Sequence, residues 1–121
     1  MLDSYSLSRL LRIRKASEFK ALKHAGIRIR NRHFIFNAKK NQLNHPRIGI
    51  IISKRSIPKA VRRNQVRRLI KEWFRINQHH LPLMDIVVIV AQASREQQAK
   101  VLQECLENLS QKLTKHCKSL S

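Results

Sequence analysis

The residues best suited to chemistry in this chain are cations, and they gather between Ile48 and Arg75. Nine residues of that stretch are Lys or Arg, against a single acid, Glu72. Guanidinium and ammonium groups bind phosphate oxygens through charge-assisted hydrogen bonds. The chemistry that this stretch predicts is therefore recognition of a polyanion, not proton transfer or nucleophilic attack.

The spacing within this stretch predicts a helix with two different faces. One face is cationic, because four basic residues recur at intervals of four: Arg63, Arg67, Lys71 and Arg75. The other face is apolar at spacings of three and four, typical of a helix docked on a core: Val66, Leu69, Ile70, Trp73 and Phe74. Ser56 is the expected N-cap, and Pro58 fits the first turn. The plainer alternative is a solvated basic helix in an ordinary domain.

The overall charge favours the first interpretation. The chain of 121 residues carries a formal net charge of +19. Self-repulsion of that size opposes compaction, so a polyanionic partner is expected to stabilise the folded protein. Nucleic acid is the leading class of partner. An anionic membrane surface is second, but the sequence lacks a long amphipathic helix with bulky aromatics opposite its lysines.

Several other classes of function are disfavoured by the sequence. It contains no P-loop, no glycine-rich dinucleotide turn and no apolar stretch of bilayer length. Its N-terminus does not resemble a secretory signal, so the cytoplasm is the expected compartment and Cys105 and Cys117 the expected free thiols. The six His show no metal spacing, and the seven carboxylates suggest no acid–base pair. We therefore expect no metal site and no catalytic residue in the protein itself.

The remaining pattern predicts an α/β (α+β) fold in the order α-β-β-β-α-β-α, formed as one RNA-binding domain over residues 1–121. Residues 27–31 and 33–38 alternate as half-buried strands do. The apolar runs 47–53 and 85–91 predict buried strands, with 47–53 in the centre of a sheet. Because a helix separates these two runs, they should form a parallel βαβ pair, which ordinary rules make right-handed.

Helix limits are predicted at both ends of the chain. Ser17 is expected to cap the first helix, and Gly26 to end it. Ser94 is expected to cap the last helix, whose core stripe is Leu102, Leu106, Leu109 and Leu113. Asp85 is expected to cap a turn. Residues 1–8 and 115–121 are expected to be flexible.

Three aromatic residues admit two interpretations. Phe19, Phe34 and Phe36 lie near basic residues, where aromatic rings can stack on unpaired bases. They can equally be core residues. For Phe19 the pattern favours the core, whereas for Phe34 and Phe36 it favours neither alternative.

The segment SKRSIPKAVRRNQVRRLIKEWFR resembles the signature of the protein subunit of bacterial ribonuclease P. The resemblance extends over nearly the whole chain. RLLRIRKASEFKALKHAG is similar to the family's basic N-terminal segment and first helix, NRHFIF to the strand that follows, and DIVVIVA to the last strand. Four such elements in the right order make the match specific.

The resemblance implies an α-β sandwich fold like domain IV of elongation factor G, with a mixed sheet and a left-handed βαβ crossover in place of the right-handed one. It also implies that a catalytic RNA, using Mg²⁺, hydrolyses the 5′ leader from precursor tRNA. The protein would bind that RNA, one protein per RNA, and contact the leader between the first helix and the sheet. The alternatives are a general RNA-binding or ribosomal-type protein, a nucleoid-type DNA binder and a protein-only nuclease.

Site residues follow from the same resemblance. Those expected to contact the catalytic RNA are Lys54, Arg55, Arg62, Arg63, Asn64, Arg67, Arg68 and Lys71. Those expected to contact the leader are Phe19, Lys23, Phe34 and Phe36. Three positions depart from the family pattern: Gln65 replaces an arginine, Lys23 an aromatic residue, and Ala91–Gln92 a basic position.

Overall fold

The structure is a computed structural model that describes residues 26–41 and 45–120. It contains four strands: β1 (Ile27–Arg30), β2 (Phe34–Lys40), β3 (Arg47–Ile51) and β4 (Met84–Val90). Its two long helices are α1 (Ala60–Asn77) and α2 (Ala99–Leu120), and short 3-10 helices occupy Gln78–His80 and Gln92–Ser94. The predicted first helix lies outside the described residues. Residues 115–120, predicted to be flexible, continue α2, and their flexibility stays a prediction.

The four strands form one mixed sheet in the order β1-β2-β4-β3. β2 is antiparallel to both β1 and β4, whereas β3 and β4 are parallel, which confirms the predicted strand–helix–strand pair. The prediction of a central strand at 47–53 was wrong, because β3 is an edge strand and β4 lies inside the sheet. A continuous apolar run does not show whether a strand is central or at an edge, since the strand before a crossover helix can occupy either position. The left-handed sense of the crossover stays a prediction from the family.

One face of the sheet carries the core. Phe34, Phe36 and Val88 are fully buried there. Against them pack the predicted stripes of both helices, with Leu69 of α1 only partly buried. The buried members are Val66, Ile70, Trp73 and Phe74 from α1 and Leu102, Leu106, Leu109 and Leu113 from α2. Each of these eight side chains is at most 5% exposed, so the helical periodicity identified the core-facing residues of both helices.

Both helices start later than the sequence predicted. Ser56 does not cap α1, because its backbone N–H donates to Ser53 Oγ at 3.0 Å and the N-cap position is Lys59, without a side-chain cap. Pro58 therefore precedes the helix. Ser94 does not cap α2 either. Its buried hydroxyl instead donates to the carbonyl of His33 at 2.8 Å, across 61 residues of sequence.

The turns at the edge of the sheet depend on specific residues. Gly26 has φ +111°, and a Cβ there would lie 2.1 Å from the carbonyl oxygen of Ala38, so only glycine fits. Asn31 Oδ1 accepts from the N–H groups of His33 and Phe34, both at 2.9 Å, and Asn31 Nδ2 donates to the carbonyl of Cys105 at 3.0 Å. These bonds dock the β1–β2 turn on α2.

His33 lies at the same junction. Its ring is buried with Nδ1 3.1 Å from Cys105 Sγ, and burial lowers the pKa of this histidine. Its carbonyl accepts from the N–H of Ala91 at 2.9 Å as well as from the hydroxyl of Ser94. His33 thus ties the start of β2 to the connection that follows β4. Neither described helix is long and apolar enough to cross a membrane.

Candidate nucleic-acid interface

Helix α1 presents a row of cations because its apolar stripe fixes the helix on the core. Burial of Val66, Ile70, Trp73 and Phe74 determines which side of α1 points inward. The four basic residues at intervals of four, which we call the basic ridge, are consequently half-exposed: Arg63, Arg67, Lys71 and Arg75. Asn64 and Arg68 are exposed beside it. The sequence alone predicted this arrangement.

Hydrogen bonds within the protein orient three side chains of the basic ridge. Arg63 Nη1 donates to the carbonyls of Ile57 at 3.0 Å and Pro58 at 2.8 Å, just before α1 begins. Arg67 Nη1 donates to Asn64 Oδ1 at 3.2 Å. Arg75 forms an ion pair with Glu72, and its hydrogen bond lowers the pKa of that carboxyl group. The one acid of the helix is therefore matched by a neighbouring cation of the basic ridge.

Lys54 and Arg55 lie in a tight turn between β3 and α1, with both side chains exposed. We call the segment Ser53–Ile57 the basic turn. Two hydrogen bonds of Ser53 stabilise it. Its hydroxyl donates to Ser56 Oγ at 3.0 Å, and its carbonyl accepts from the N–H of Ile57 at 3.0 Å. The Ile57 side chain is 0% exposed and anchors the turn in the core.

Arg62, which we predicted to face RNA, directs its guanidinium at the protein. Its Nε donates to the carbonyl of Arg95 at 2.8 Å, and its Nη2 donates to the carbonyls of Ser94, at 3.2 Å, and Gln97. Its Nη1 lies 3.4 Å from Gln65 Oε1, at one of the positions that depart from the family pattern. Contact between Arg62 and RNA stays a prediction, but most of the described hydrogen bonds of this side chain hold the 94–97 segment.

Arg95 is a cation that the sequence analysis missed. Its Nε donates to the carbonyl of Ser56 at 3.0 Å, and its Nη2 donates to the carbonyl of Arg55 at 3.1 Å. No local signal marks it, because a single arginine after a predicted cap resembles any surface cation. The contact arises only when the connection after β4 folds against the basic turn.

The face of the sheet opposite the core differs from the core face in chemistry. The register places three rows of residues on it: Arg28, Asn37, Val87 and Gly49 in the middle, Arg30, Ile35, Ile89 and Ile51 on one side, and Lys39, Asp85 and Arg47 on the other. Arg28 and Arg30 are exposed at the β1 edge, whereas Val87 and Asn37 are buried. This second face therefore combines apolar side chains with cations along one edge.

Phe34 and Phe36 do not belong to this second face. Both are 0% exposed on the core side, where Phe36 meets Trp73 with ring centroids 6.0 Å apart and planes tilted by 50°. The interpretation of these residues as the inner face of a sheet is confirmed. The prediction that they stack on leader bases was wrong, because neither ring has a face open to a ligand. Phe19 and Lys23 lie outside the described residues.

Asp85 forms an ion pair instead of capping a turn. Its carboxylate accepts two hydrogen bonds from Arg47, with Nε–Oδ1 at 2.8 Å and Nη2–Oδ2 at 2.5 Å, and one from Asn41 Nδ2 at 2.9 Å. Burial by itself would raise the pKa of this carboxyl group, but the hydrogen bonds and the positive charge of Arg47 outweigh burial and lower it. Asp85 is thus a charged structural group and not a proton donor.

Comparison with known proteins identifies the family. A sequence model of the family described as Ribonuclease P matches residues 7–114. The ribonuclease P protein component of Coxiella burnetii is 41% identical over 110 residues, which cover 91% of this chain and 91% of that protein. That of Idiomarina loihiensis is 38% identical over 118 residues, covering 97% of this chain and 94% of that protein. This chain belongs to the ribonuclease P protein family.

The fold agrees with that identification. The solved structure of a Staphylococcus aureus RNase P protein, a mutant with defective mRNA degradation activity, matches with a TM-score of 0.81 and 32% identity. The match covers 91% of this chain and 90% of that one. The protein is therefore a subunit of ribonuclease P, and RNA binding and 5′ processing of tRNA follow from its family. The basic ridge and basic turn are two described surfaces whose cations suit an RNA partner.

The described residues offer the ribonuclease P protein no evident place for a metal of its own. Within residues 26–41 and 45–117, no group of three or more His, Cys, Asp or Glu side chains could hold an ion. Cys105 and Cys117 are free thiols, and burial raises the pKa of both. Asp85 is already paired with Arg47, and the expectation that the protein holds no metal of its own stays a prediction.

Proposed function

We propose that this protein binds the catalytic RNA of ribonuclease P through the basic ridge and the basic turn. The single observation that carries the proposal is the composition of α1, which has six cations and one acid, with that acid paired to Arg75. Contacts to phosphate give affinity and position without reading sequence, as a folded RNA partner requires. The contacts proposed on α1 are Arg63, Asn64, Arg67, Arg68 and Lys71, and those proposed on the turn are Lys54 and Arg55.

The leader of precursor tRNA would bind on the second face of the sheet. Ile35, Ile51 and Ile89 offer apolar contact there, and Arg28 and Arg30 offer phosphate contacts along the edge. Leader sequences differ between tRNAs, so a surface of cations and apolar groups that tolerates sequence suits this substrate. Phe19 and Lys23 remain the proposed contacts from the first helix.

Hydrolysis of the leader would take place on the RNA, with Mg²⁺ held by RNA groups and one protein bound per RNA. Two features of the protein support this division of labour. Its seven acids are few for a metal-dependent nuclease, and Asp85 on the second face is held in an ion pair. The protein would act in the cytoplasm, where reducing conditions suit the free thiols Cys105 and Cys117.

Cleavage of precursor tRNA at low Mg²⁺ tests the proposal, with bacterial ribonuclease P RNA alone, the protein alone and the two together. We expect no cleavage by the protein, weak cleavage by the RNA, and much faster cleavage at the mature 5′ end by the mixture. Because the protein neutralises part of the negative charge of the RNA, the RNA should need a lower Mg²⁺ concentration in the mixture.

Two outcomes would contradict the proposal in different ways. If the protein alone cleaves precursor tRNA, and treatments directed at the catalytic RNA do not stop this cleavage, the chemistry lies in the protein. No gain in the mixture, combined with equal binding to unrelated RNAs, would indicate a general RNA-binding protein. A precursor with a one-nucleotide leader separates the two binding surfaces, because it keeps contact with the catalytic RNA and loses contact with the second face.

A further inference from the structure

Two arginines connect the basic turn to α1, and neither forms an ion pair with an acid among the residues that the structure describes. Arg95 donates to the carbonyls of Arg55 and Ser56, and Arg62 of α1 donates to the carbonyls of Ser94, Arg95 and Gln97. The chain of contacts therefore runs from α1 through the 94–97 segment to the basic turn. Every link is a hydrogen bond from a guanidinium to a backbone carbonyl, and each of these two guanidiniums contacts at least two carbonyls.

The 94–97 segment is itself held in place from its other side. The hydroxyl of Ser94, which is 0% exposed, donates to the carbonyl of His33, and so does the N–H of Ala91. Arg95 therefore projects from a segment fixed to the sheet by His33 and to α1 by Arg62. A cavity of about 390 Å³ lies beside this junction and is bordered by Ile57, Pro58, Lys59, Arg62, Arg95 and Glu96.

The basic turn needs such support for electrostatic reasons. Lys54 and Arg55 are adjacent exposed cations, and they lie before the positive end of the α1 dipole. Repulsion favours conformations in which the turn moves away from α1. Carbonyl groups of the turn point their negative ends at Arg95, so this guanidinium opposes that movement while leaving the Lys54 and Arg55 side chains outward.

We propose that Arg95 is a positioning residue for RNA binding, which fixes Lys54 and Arg55 at a set distance from the basic ridge so that both surfaces meet one RNA. This inference rests on the proposed function, because it takes Lys54 and Arg55 as RNA contacts. Arg95 acts through the backbone of the basic turn. Lysine cannot replace it, since one ammonium group does not reproduce the planar fork that reaches two carbonyls.

A double-mutant cycle tests the proposal by titrating ribonuclease P RNA with the whole protein at several salt concentrations. The variants are Arg95→Ala, Arg95→Lys, the pair Lys54→Ala/Arg55→Ala, and the combination of that pair with Arg95→Ala. Lys100→Ala, which removes an exposed cation from α2, controls for the loss of charge alone. Circular dichroism checks that each variant is folded at the assay temperature.

Four results are expected together. Arg95→Ala weakens binding several-fold, and the log–log salt slope falls by about 1 to 2, the equivalent of one or two phosphate contacts. Arg95→Lys behaves like Arg95→Ala. Adding Arg95→Ala to the Lys54/Arg55 pair weakens binding no further. Lys100→Ala stays close to the unmodified protein. If Arg95→Ala fails to fold, Arg95→Lys decides the question by the same criteria.

Other results overturn the inference and separate it from the proposed function. Additive losses in the cycle mean that Arg95 contacts RNA itself, and wild-type binding by Arg95→Lys means that only its charge matters. If the Lys54/Arg55 pair weakens binding but both Arg95 variants do not, the positioning role alone fails. If the Lys54/Arg55 pair has no effect, the proposed contact between the basic turn and RNA fails.

Discussion

At the scale of single residues, the same side chain serves different purposes in different surroundings. Arg68 is exposed on α1, whereas Arg62, six residues earlier, donates to three backbone carbonyls. Arg47 forms an ion pair with Asp85, and Asn41 donates to the same carboxylate. A count of positive charges therefore overstates the number of cations that point at a ligand, and a charge-reversal experiment must be interpreted residue by residue.

The Asp85–Arg47 ion pair predicts a pH dependence of stability. The pKa of Asp85 is lowered in the folded protein from its ordinary value of 3.8. The contribution of the pair to the free energy of unfolding is therefore complete above that value and is lost as the pH falls through the lowered pKa. Asp85→Asn should cost about 1–3 kcal/mol at pH 7, and this cost should shrink towards zero as the pH falls below 3.8.

Urea unfolding curves at pH 7 and at a pH below 3.8 measure the cost of Asp85→Asn in the free energy of unfolding. Glu104→Gln, which neutralises an exposed carboxylate on α2, is the control and should leave the pH dependence unchanged. An equal loss of stability for Asp85→Asn at both pH values would show that the carboxylate charge is not what stabilises the folded state.

At the scale of elements, α1 separates stability from binding onto two faces. Trp73 is 5% exposed, packs against Phe36 and places Nε1 3.5 Å from Glu107 of α2. Arg67 is half-exposed on the opposite side and bonds only within the helix, to Asn64, in the described contacts. One helix thus contributes both to the core and to the proposed RNA surface.

This separation predicts opposite effects for two substitutions on α1. Trp73→Ala should cost about 3–5 kcal/mol of folding stability by leaving a cavity, with little change in RNA affinity of the molecules that remain folded. Arg67→Ala should change stability by less than about 0.5 kcal/mol and weaken binding of ribonuclease P RNA several-fold. Thermal melts beside RNA titrations measure both quantities.

Ile76→Ala is the matched control on the same helix, because Ile76 is 59% exposed and lies outside both faces. It should change neither quantity. A large loss of stability in Arg67→Ala would show that the basic ridge is part of the structural framework, and the proposed division between the faces of α1 would then be abandoned.

At the scale of the whole molecule, the charge of +19 dominates interactions with other molecules. The core joins the sheet to both described helices and so opposes this repulsion. A polyanion that neutralises part of the charge should therefore raise the melting temperature as it binds.

The corresponding prediction concerns salt. Affinity for ribonuclease P RNA should fall steeply between 50 and 200 mM salt, with a log–log slope of roughly −0.7 to −0.9 per phosphate contact. Arg67→Ala should reduce the magnitude of that slope by about 1. Affinity that does not change with salt would exclude phosphate contacts as the main source of binding.

The sequence by itself determined the features that depend on local periodicity. Spacings of three and four identified the buried stripes of α1 and α2 and the cationic face of α1, and alternation identified β1 and β2. These predictions succeed because helix and strand geometry repeat over a few residues, so the residue types alone show which side faces the core.

The tertiary structure decided the features that join distant segments. It placed β3 at the edge of the sheet, turned Arg62 inward, and joined Arg47 to Asp85 across 38 residues and Arg95 to Ser56 across 39. It also showed that Ser56 and Ser94 do not cap the helices and that Phe34 and Phe36 lie in the core. Local spacing carries no information about which loop meets which, because such contacts arise only when the chain packs around one core.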